Sequence, residues 1–267
     1  MEELIKKIGL DSELANAALS LMKDKENKIN ALAERCKKSG FGVLAGKNDL
    51  TRLAVCLKYT EYTKQRYKQL GISDEIFYAT MSDIRIWCEN DGNKGLKNYP
   101  WIQNHLKSEL FRLGRLQFQL FTCNNVAYDY KLLPFDKGER MIFVHIPQGE
   151  KLEFSECVKS FKTAKEFFAE HFPDYEYRFF ICESWLLYDE NWRFMRPGCN
   201  ILQFQSLFEI VISSLDDRQS IDRIFGKRKL LKKHYPEETS LQKSAKQFLL
   251  DGGKMGTGVG IKAKNEI

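Results

Sequence analysis

The spacing of apolar residues divides the chain into a helical first part and a second part rich in strands. Up to about residue 108, apolar residues recur three and four positions apart, which predicts amphipathic helices with one buried face. Asn48 and Ser73 each precede such a stretch and are suitable helix N-caps. The predicted helices cover residues 11–22, 25–38, 48–71, 73–88 and 99–105.

From Leu110 onward, alternating apolar positions predict strands, separated at first by short turns. Three strands, at 111–121, 126–133 and 141–146, follow one another and predict an antiparallel meander. Next come a helix at 155–168, for which Ser155 is the expected N-cap, and a strand at 175–188. A strand, a helix and a second strand in this order predict a parallel strand pair with a right-handed crossover.

The last part of the chain continues the mixture of helices and strands. We predict a helical turn at 201–206, a strand at 207–212, helices at 217–233 and 239–250, and a last strand at 255–261. Thr239 and Gln242 form a capping-box pattern, and the alternating glycines of the last strand allow close approach by another backbone or a ligand. The fold class is therefore α+β, with a helical domain at 1–108 and a mixed-sheet domain with flanking helices at 109–267.

Length and composition fit one large or two modest domains, since the 267 residues are 43% hydrophobic. No apolar run is long enough to span a bilayer, and residues 1–7 lack the apolar centre of a secretory signal. We therefore expect a cytoplasmic protein without a membrane partner. Seven cysteines and four histidines lack the spacing of a metal site, so we expect reduced cysteines and no metal.

The net charge of +6 suits an anionic ligand such as a nucleotide-derived cofactor, or weak nucleic-acid contact, or simply solubility. The densest basic group, residues 227–233, is expected on a helix as a solvated face. No helix-turn-helix or basic-aromatic motif accompanies it, which argues against a nucleic-acid partner. The loop at 147–154 leads into a helix N-terminus, where free N–H groups favour an anion.

Seven short motifs along the chain resemble the bacterial two-domain GNAT-type acyltransferases, which combine a helical N-terminal acyltransferase domain with a GNAT-like C-terminal domain. The motifs are Gly71–Ser73, Leu113–Phe118, Val144–Gly149, Cys182–Leu187, Asn200–Phe204, Thr239–Gln242 and Gly256–Gly260. The resemblance implies transfer of an acyl group, with acetyl as the first expectation, from coenzyme A to an amine. The implied donor is acetyl-CoA or another acyl-CoA, and the acceptor is a small molecule or a peptide.

The resemblance also implies where the donor binds. The backbone of the strand at Val144 and Ile146 would pair with the pantetheine arm. Gln148, Gly149, Lys151 and the backbone around Ser155 would hold the pyrophosphate. The usual loop of this class is Gln or Arg, two residues, Gly, one residue, then Gly or Ala. This chain has a single glycine there, and it places Glu150 and Glu153 nearby.

Amine acylation needs a base, a polarised thioester and an acid for the departing thiolate. Glu183 and His145 are the base candidates, and Tyr188 is the candidate acid. For each there is a structural alternative: a salt bridge between Glu183 and an arginine, a buried structural histidine, and an ordinary aromatic at a strand end.

Four further side chains near these strands could take part. Cys182 and Ser184 are potential nucleophiles, but no histidine–carboxylate partner set is recognisable for either. Arg112 and Arg115 are expected on opposite faces of one strand, so at most one of them faces a cleft. Three hypotheses follow: an N-acyltransferase, a non-catalytic binding module with the same fold, and a nucleic-acid-binding protein.

Overall fold

The computed structural model describes all 267 residues of the chain, and these form two compact units. The first unit consists of residues 1–113 and 117–119. The second unit consists of residues 114–116 and 120–267. The helical segment of the sequence thus lies in the first unit, and the loop and strands of the candidate site lie in the second.

The first unit is built from seven helices, as the 3.6-residue periodicity predicts. They are α1 (Glu2–Ile8), α2 (Ser12–Asp24), α3 (Glu26–Ser39), α4 (Asp49–Gln69), α5 (Asp74–Met81), α6 (Asp83–Asn90) and α7 (Tyr99–Leu106). The side chain of Asn48 accepts a 2.8 Å hydrogen bond from the amide of Thr51, and so it caps α4 as expected. The predicted helix at 73–88 is two helices instead. They are separated at Ser82, whose hydroxyl donates to the Ala79 carbonyl at 2.6 Å.

A buried polar cluster joins α6 and α7 within the first unit. The Asp83 carboxylate accepts hydrogen bonds from His105 Nε2 at 3.1 Å, Trp101 Nε1 at 3.2 Å and Gln117 Nε2 at 2.8 Å. Burial raises the pKa of Asp83, but the histidine, glutamine and tryptophan donors outweigh burial, so the pKa is lowered. The Nδ1 atom of His105 is buried and has no hydrogen-bond partner.

The six strands form one mixed sheet with the order β1-β2-β3-β4-β6-β5. They are β1 (Leu110–Leu113), β2 (Leu116–Thr122), β3 (Arg140–His145), β4 (Phe179–Ser184), β5 (Glu209–Ser214) and β6 (Thr257–Ala263). Strands β3 and β4 are parallel, with α8 (Phe154–His171) as the crossover helix, which confirms the predicted βαβ unit. Strand β6 is antiparallel to both β4 and β5.

Two of the predicted strands are wrong. The segment 111–121 is not one strand but β1 and β2, joined by a turn at Gly114–Arg115, where Gly114 has φ 74. The segment 126–133 forms no strand. The side chain of Asn125 accepts from the Ala127 amide at 3.0 Å, and that of Asp129 accepts from the Lys131 amide at 3.2 Å, which stabilises turns instead.

The predicted helix at 217–233 is also shorter than expected. Helix α10 (Arg218–Phe225) ends at Gly226, whose φ of 79 suits a glycine, and residues 227–234 form a loop with one helical turn at its end. The other two helices of this region are α9 (Asn200–Gln205) and α11 (Ser240–Leu250), and α11 has the predicted capping box. Helix α8 begins at Phe154 with Glu153 at the N-cap position, so Ser155 is not the cap.

The glycines in and immediately before β6 allow neighbouring segments of the chain to come close. A Cβ atom on Gly258 would lie 2.0 Å from the carbonyl oxygen of Leu187, and one on Gly256 would lie 2.0 Å from that of Ser214. A Cβ atom on Gly260 would lie 2.8 Å from the Phe208 Cβ. Close packing within the protein therefore accounts for this Gly-rich strand.

Candidate active site

The two parallel strands of the sheet are paired over only part of their length. The register joins Ile142 to Phe180 and Phe143 to Ile181. Strand β3 runs on to His145 and β4 runs on to Ser184, and these last positions are not part of the ladder. The carboxyl ends of two central strands thus have backbone groups that do not pair with each other.

His145 and Glu183 occupy matching places on these two strand ends. Each lies two residues beyond the paired positions Phe143 and Ile181, so both project from the same face of the sheet. The imidazole of His145 stacks on the Phe143 ring, with centroids 4.6 Å apart and an interplanar angle of 21°. The structure therefore brings the two base candidates to one end of one sheet face.

The Glu183 side chain is exposed, whereas its neighbour Ile181 on the same face is buried. Tyr128 donates a hydrogen bond from its hydroxyl to Glu183 Oε2 at 3.1 Å. The structural alternative for Glu183 is a salt bridge with an arginine, but its partner in the structure is Tyr128. Burial, followed by the charge of Glu183, raises the pKa of Tyr128, so this hydroxyl remains a donor at neutral pH.

Tyr128 belongs to the segment 123–139, which covers the same sheet face instead of adding a strand. Cys123 and Phe135 of this segment are buried in a cluster with Met141, Ile181 and Val259, and Tyr128 packs against the cluster. The face is therefore apolar beneath the segment and becomes polar at its end, where Glu183 lies. Alternating apolar residues in 126–133 predict this contact with the core, but not its loop conformation.

Tyr188 lies beyond β4, after a short helical turn at Trp185–Leu187. Its side chain is buried and packs against Gly256, on the opposite sheet face from Glu183, and its carbonyl accepts from Gln205 Nε2 at 2.7 Å. Burial, with smaller contributions from two nearby acidic residues, raises the pKa of Tyr188. The phenol is therefore protonated at neutral pH, but its burial on the opposite face separates Tyr188 from His145 and Glu183.

The two nucleophile candidates of β4 are both buried. Burial raises the pKa of the Cys182 thiol well above its usual range, which disfavours the reactive thiolate. The Ser184 hydroxyl accepts a hydrogen bond from the Leu186 amide at 3.2 Å and caps the following turn. Neither side chain is arranged for attack on a substrate.

Arg115 organises the loop that precedes α8. Its guanidinium donates to the carbonyls of Pro147 at 3.0 Å, Glu150 at 2.8 Å and Lys151 at 2.8 Å, and only 6% of the residue is exposed. Its own amide donates to Ser160 Oγ of α8 at 2.8 Å. The alternating pattern predicts a strand at Arg115 and gives no indication of this role. The signal that could have located it is Gly114, because an isolated glycine within a strand pattern indicates an interruption of the strand.

The residues proposed to bind pyrophosphate lie on the outer side of this loop and on the first turn of α8. Gln148, Gly149, Lys151 and Ser155 are all exposed. Gly149 has φ 111, and a Cβ atom placed on it would meet nothing within 4 Å, so the loop is open to solvent at this point. Glu153 makes no side-chain capping bond, so its carboxylate does not occupy the N–H groups of the first turn. Helix α8 has 18 residues and therefore a substantial dipole at this end.

A pocket of about 580 Å³ lies at the other end of β4 and contains none of the predicted site residues. It is lined by Lys165, Arg178, Phe179, Ala263, Lys264 and Asn265. Its three cations have partners within the protein, which are the Ile267 carbonyl, the Glu139 carboxylate and the Tyr177 ring. We therefore do not place the candidate chemistry in this pocket.

No group of three or more His, Cys, Asp or Glu side chains is arranged to hold a metal ion. None of the helices combines the length and the apolar character needed to cross a membrane.

Comparison with known families matches both parts of the chain. The profile of the N-acyltransferase N-terminal domain matches residues 1–108, and that of the GNAT-like C-terminal domain matches residues 110–262. The chain belongs to this family of two-domain N-acyltransferases. The resemblance noted from the motifs is thereby confirmed. No curated protein sequence matches this acyltransferase.

Solved structures of acyltransferases have the same fold. An acyltransferase in complex with decanoyl-CoA and teicoplanin superposes with a TM-score of 0.77 at 19% identity, covering 98% of this chain and 87% of that one. An acyltransferase mutant in complex with octanoyl-CoA gives a TM-score of 0.78 at 19% identity, with the same coverage. A third complex, with CoA and 10C-teicoplanin, gives 0.77 at 19% identity and the same coverage. These likenesses establish the fold of the present acyltransferase along nearly its whole length.

Proposed function

We propose that this protein is an acyl-CoA-dependent N-acyltransferase that uses the parted ends of β3 and β4 as its active site. The observation that carries the proposal is the early end of the β3–β4 ladder, with His145 and Glu183 on one face beyond it. Membership of the two-domain N-acyltransferase family supplies the reaction class.

For the donor, we propose that the backbone of Val144 and Ile146 hydrogen-bonds the pantetheine arm, since neither residue belongs to the ladder with β4. The pyrophosphate would lie against the loop and the first turn of α8, bound by backbone N–H groups at Gln148, Gly149 and Ser155 and by the Lys151 ammonium. Arg115 supports this arrangement because it takes up three carbonyls on the inner side of the loop.

For the reaction, we propose that Glu183 or His145 takes a proton from the acceptor ammonium. The free amine then attacks the thioester carbonyl and the C–N bond forms. The C–S bond breaks, and the nitrogen gives up its second proton to solvent, which leaves a neutral amide. The thiolate of coenzyme A leaves with the electron pair and takes up a proton. Tyr188 is the acid expected from the sequence, but it is buried on the opposite sheet face from Glu183, so we propose that solvent supplies this proton. The raised pKa of Tyr188 keeps its hydroxyl protonated at neutral pH but also makes it a weaker acid than an ordinary tyrosine.

The acyl group and the acceptor are open to experiment. Acetyl is the first expectation from the sequence, whereas the acyltransferases of similar fold were solved with octanoyl-CoA and decanoyl-CoA. Teicoplanin is bound in one of those structures, and an amine on a small molecule or a peptide is the acceptor class that we propose here. We also propose a bacterial cytoplasmic location, where cysteines such as the seven of this chain stay reduced.

A non-catalytic binding module is the second candidate function. It is favoured by the single glycine of the loop and by Glu150 and Glu153, which place negative charge where an anion would bind. Such a protein would bind a CoA derivative, or another ligand, without turnover.

Thermal unfolding with acetyl-CoA, octanoyl-CoA, decanoyl-CoA and free CoA tests donor binding. A ligand at a hundred times its dissociation constant adds about 2.7 kcal/mol to the free energy of unfolding, which raises Tm by several degrees. A shift that depends on the acyl group, together with release of free thiol when amines are added, would establish the transferase and identify its donor. A shift without thiol release would favour the binding module, and no shift with any of the four compounds would overturn the proposal.

A further inference from the structure

The basic segment 227–233 is an exposed loop rather than a face of a helix. It contains five basic residues and two leucines, and no acidic residue occurs between Asp222 and Glu237. Leu230 is 99% exposed and Leu231 is 47% exposed. Two neighbouring leucines that project into solvent from the most basic segment of the chain are an unusual combination for a merely solvated surface.

The loop is fixed to the body of the second unit at both ends. Phe225 of α10 precedes the loop and Tyr235 follows it. Their rings are buried and stack on each other, with centroids 4.2 Å apart. Arg228 forms an ion pair with Asp217. Because these contacts hold the two ends together, the tip of the loop is presented outward and does not collapse onto the core.

A third exposed leucine lies near the carboxyl end of this loop. The Lys232 ammonium donates to the Leu249 carbonyl at 2.7 Å, which brings the loop to the carboxyl end of α11. The next residue, Leu250, is 48% exposed. The exposed leucines 230, 231 and 250 and the basic residues 227–229, 232 and 233 define what we call the basic-apolar patch.

We propose that the basic-apolar patch binds the surface of a membrane that contains anionic lipids. Charge complementarity selects this partner, because lysines 227 and 233 are exposed and form no ion pair within the protein. Leucines between lysines can enter the boundary between headgroups and acyl chains while the ammonium groups stay at the phosphates. A purely electrostatic partner would use the lysines and would leave the leucines in water.

The proposal goes beyond acyl transfer and does not depend on it. It revises the expectation of no membrane partner, which rested on the lack of a spanning segment. That lack stands, and contact through one loop needs no spanning helix.

Vesicle flotation of the full chain tests the proposal, with phosphatidylcholine vesicles that either contain or lack phosphatidylglycerol. We expect binding only to the anionic vesicles. Joint substitution Leu230→Ala and Leu231→Ala should lower partitioning at least about tenfold, since two exposed side chains no longer enter the lipid. Lys227→Gln with Lys233→Gln should lower partitioning about 30-fold, and added salt should act in the same direction.

Matched controls distinguish the patch from general charge and apolarity. Leu132→Ala removes another leucine, which is 81% exposed. Lys94→Gln with Lys97→Gln removes the same charge from two exposed lysines of the first unit. Both controls should float with anionic vesicles like the parent chain, and all variants should keep the parent Tm because the altered side chains are exposed.

A probe at the tip gives an independent readout. In the variant Leu230→Trp, the indole emission should shift to the blue when anionic vesicles are added, because the side chain leaves water. The proposal is overturned if the chain fails to float with anionic vesicles. It is also overturned if the leucine substitutions leave binding unchanged, or if heparin or duplex RNA binds the chain as tightly as the vesicles do.

Discussion

The guanidinium of Arg115 donates a 2.8 Å hydrogen bond to the carbonyl of Lys151, and this bond ties the turn between β1 and β2 to the loop before α8. The same side chain binds two more carbonyls of that loop. Because three carbonyls of the loop point inward to Arg115, the outer side of the loop presents its N–H groups, next to the first turn of α8. A loop with a single glycine is thus given a defined shape by an arginine from a distant turn.

Replacing Arg115 should therefore damage both stability and donor binding. Arg115→Met leaves three partly buried carbonyls without their donor, each at a cost of about 1–3 kcal/mol. Arg115→Lys keeps the charge but cannot reproduce the planar fork, so we expect an intermediate loss. Thermal unfolding with and without CoA measures both effects, and the CoA-dependent shift should shrink in the order parent, lysine, methionine.

Arg218→Lys is the control, because this arginine is 83% exposed and pairs with Asp216 at the surface. Its Tm and its response to CoA should match those of the parent. If Arg115→Met retained the full CoA shift, the loop would not be the phosphate site.

The two base candidates can be separated by isosteric substitutions. Glu183→Gln and His145→Asn each remove a proton acceptor with little change in shape, and the true base should lose about 10²- to 10⁴-fold in kcat. The variant at the other position should lose tenfold or less in kcat. The measurement is thiol release at saturating donor, with the thermal shift by CoA as a check that donor binding persists. Equal, small losses in both variants would exclude the parted strand ends as the site of proton transfer.

The close contact at Gly258 predicts a strong and purely structural effect. Gly258→Ala would place a methyl group 2.0 Å from the Leu187 carbonyl, so backbone must move. We expect a loss of about 3 kcal/mol or more in the free energy of unfolding, at the upper end of overpacking effects. Gly42→Ala is the control, since nothing lies within 4 Å of the added methyl group. Chemical denaturation of both variants compares them directly, and similar midpoints would contradict this packing.

The sequence predicts the elements whose formation depends on local signals. Caps at Asn48, Ser73 and Thr239 locate three helices, and the strand–helix–strand pattern predicts the parallel pair at the centre of the sheet. The caps and the strand–helix–strand pattern depend on residues close together in the chain. Tertiary contacts stabilise the same elements that these local signals favour.

The sequence fails where a segment packs on the core without regular structure. The alternation at 126–133 suggests a strand, but the aromatic residues there cover a sheet face from a loop whose turns Asn125 and Asp129 stabilise. The partner of Glu183 was missed for the same reason, since Tyr128 reaches it from that loop. The role of Arg115 depends on carbonyls more than 30 residues away, which no local pattern encodes.

The buried cluster around Asp83 predicts a specific dependence of stability on pH. The pKa of Asp83 is lower in the folded chain than the value of about 3.9 in an unfolded one. A carboxyl with a lowered folded pKa contributes stability that is fully present above its unfolded pKa and is lost as the pH falls through its folded pKa. Asp83→Asn should therefore lower the Tm clearly at pH 7, because an amide nitrogen would face the indole or imidazole donor. The difference in Tm between Asp83→Asn and the parent should narrow below about pH 4, because protonation of Asp83 removes the same interaction from the parent.

Asp24→Asn is the control, at an exposed site in the first unit. Its free energy of unfolding should follow that of the parent at every pH to within about 0.5 kcal/mol. A gap between Asp83→Asn and the parent that stayed constant from pH 7 to the acid transition would show that Asp83 contributes through shape rather than charge.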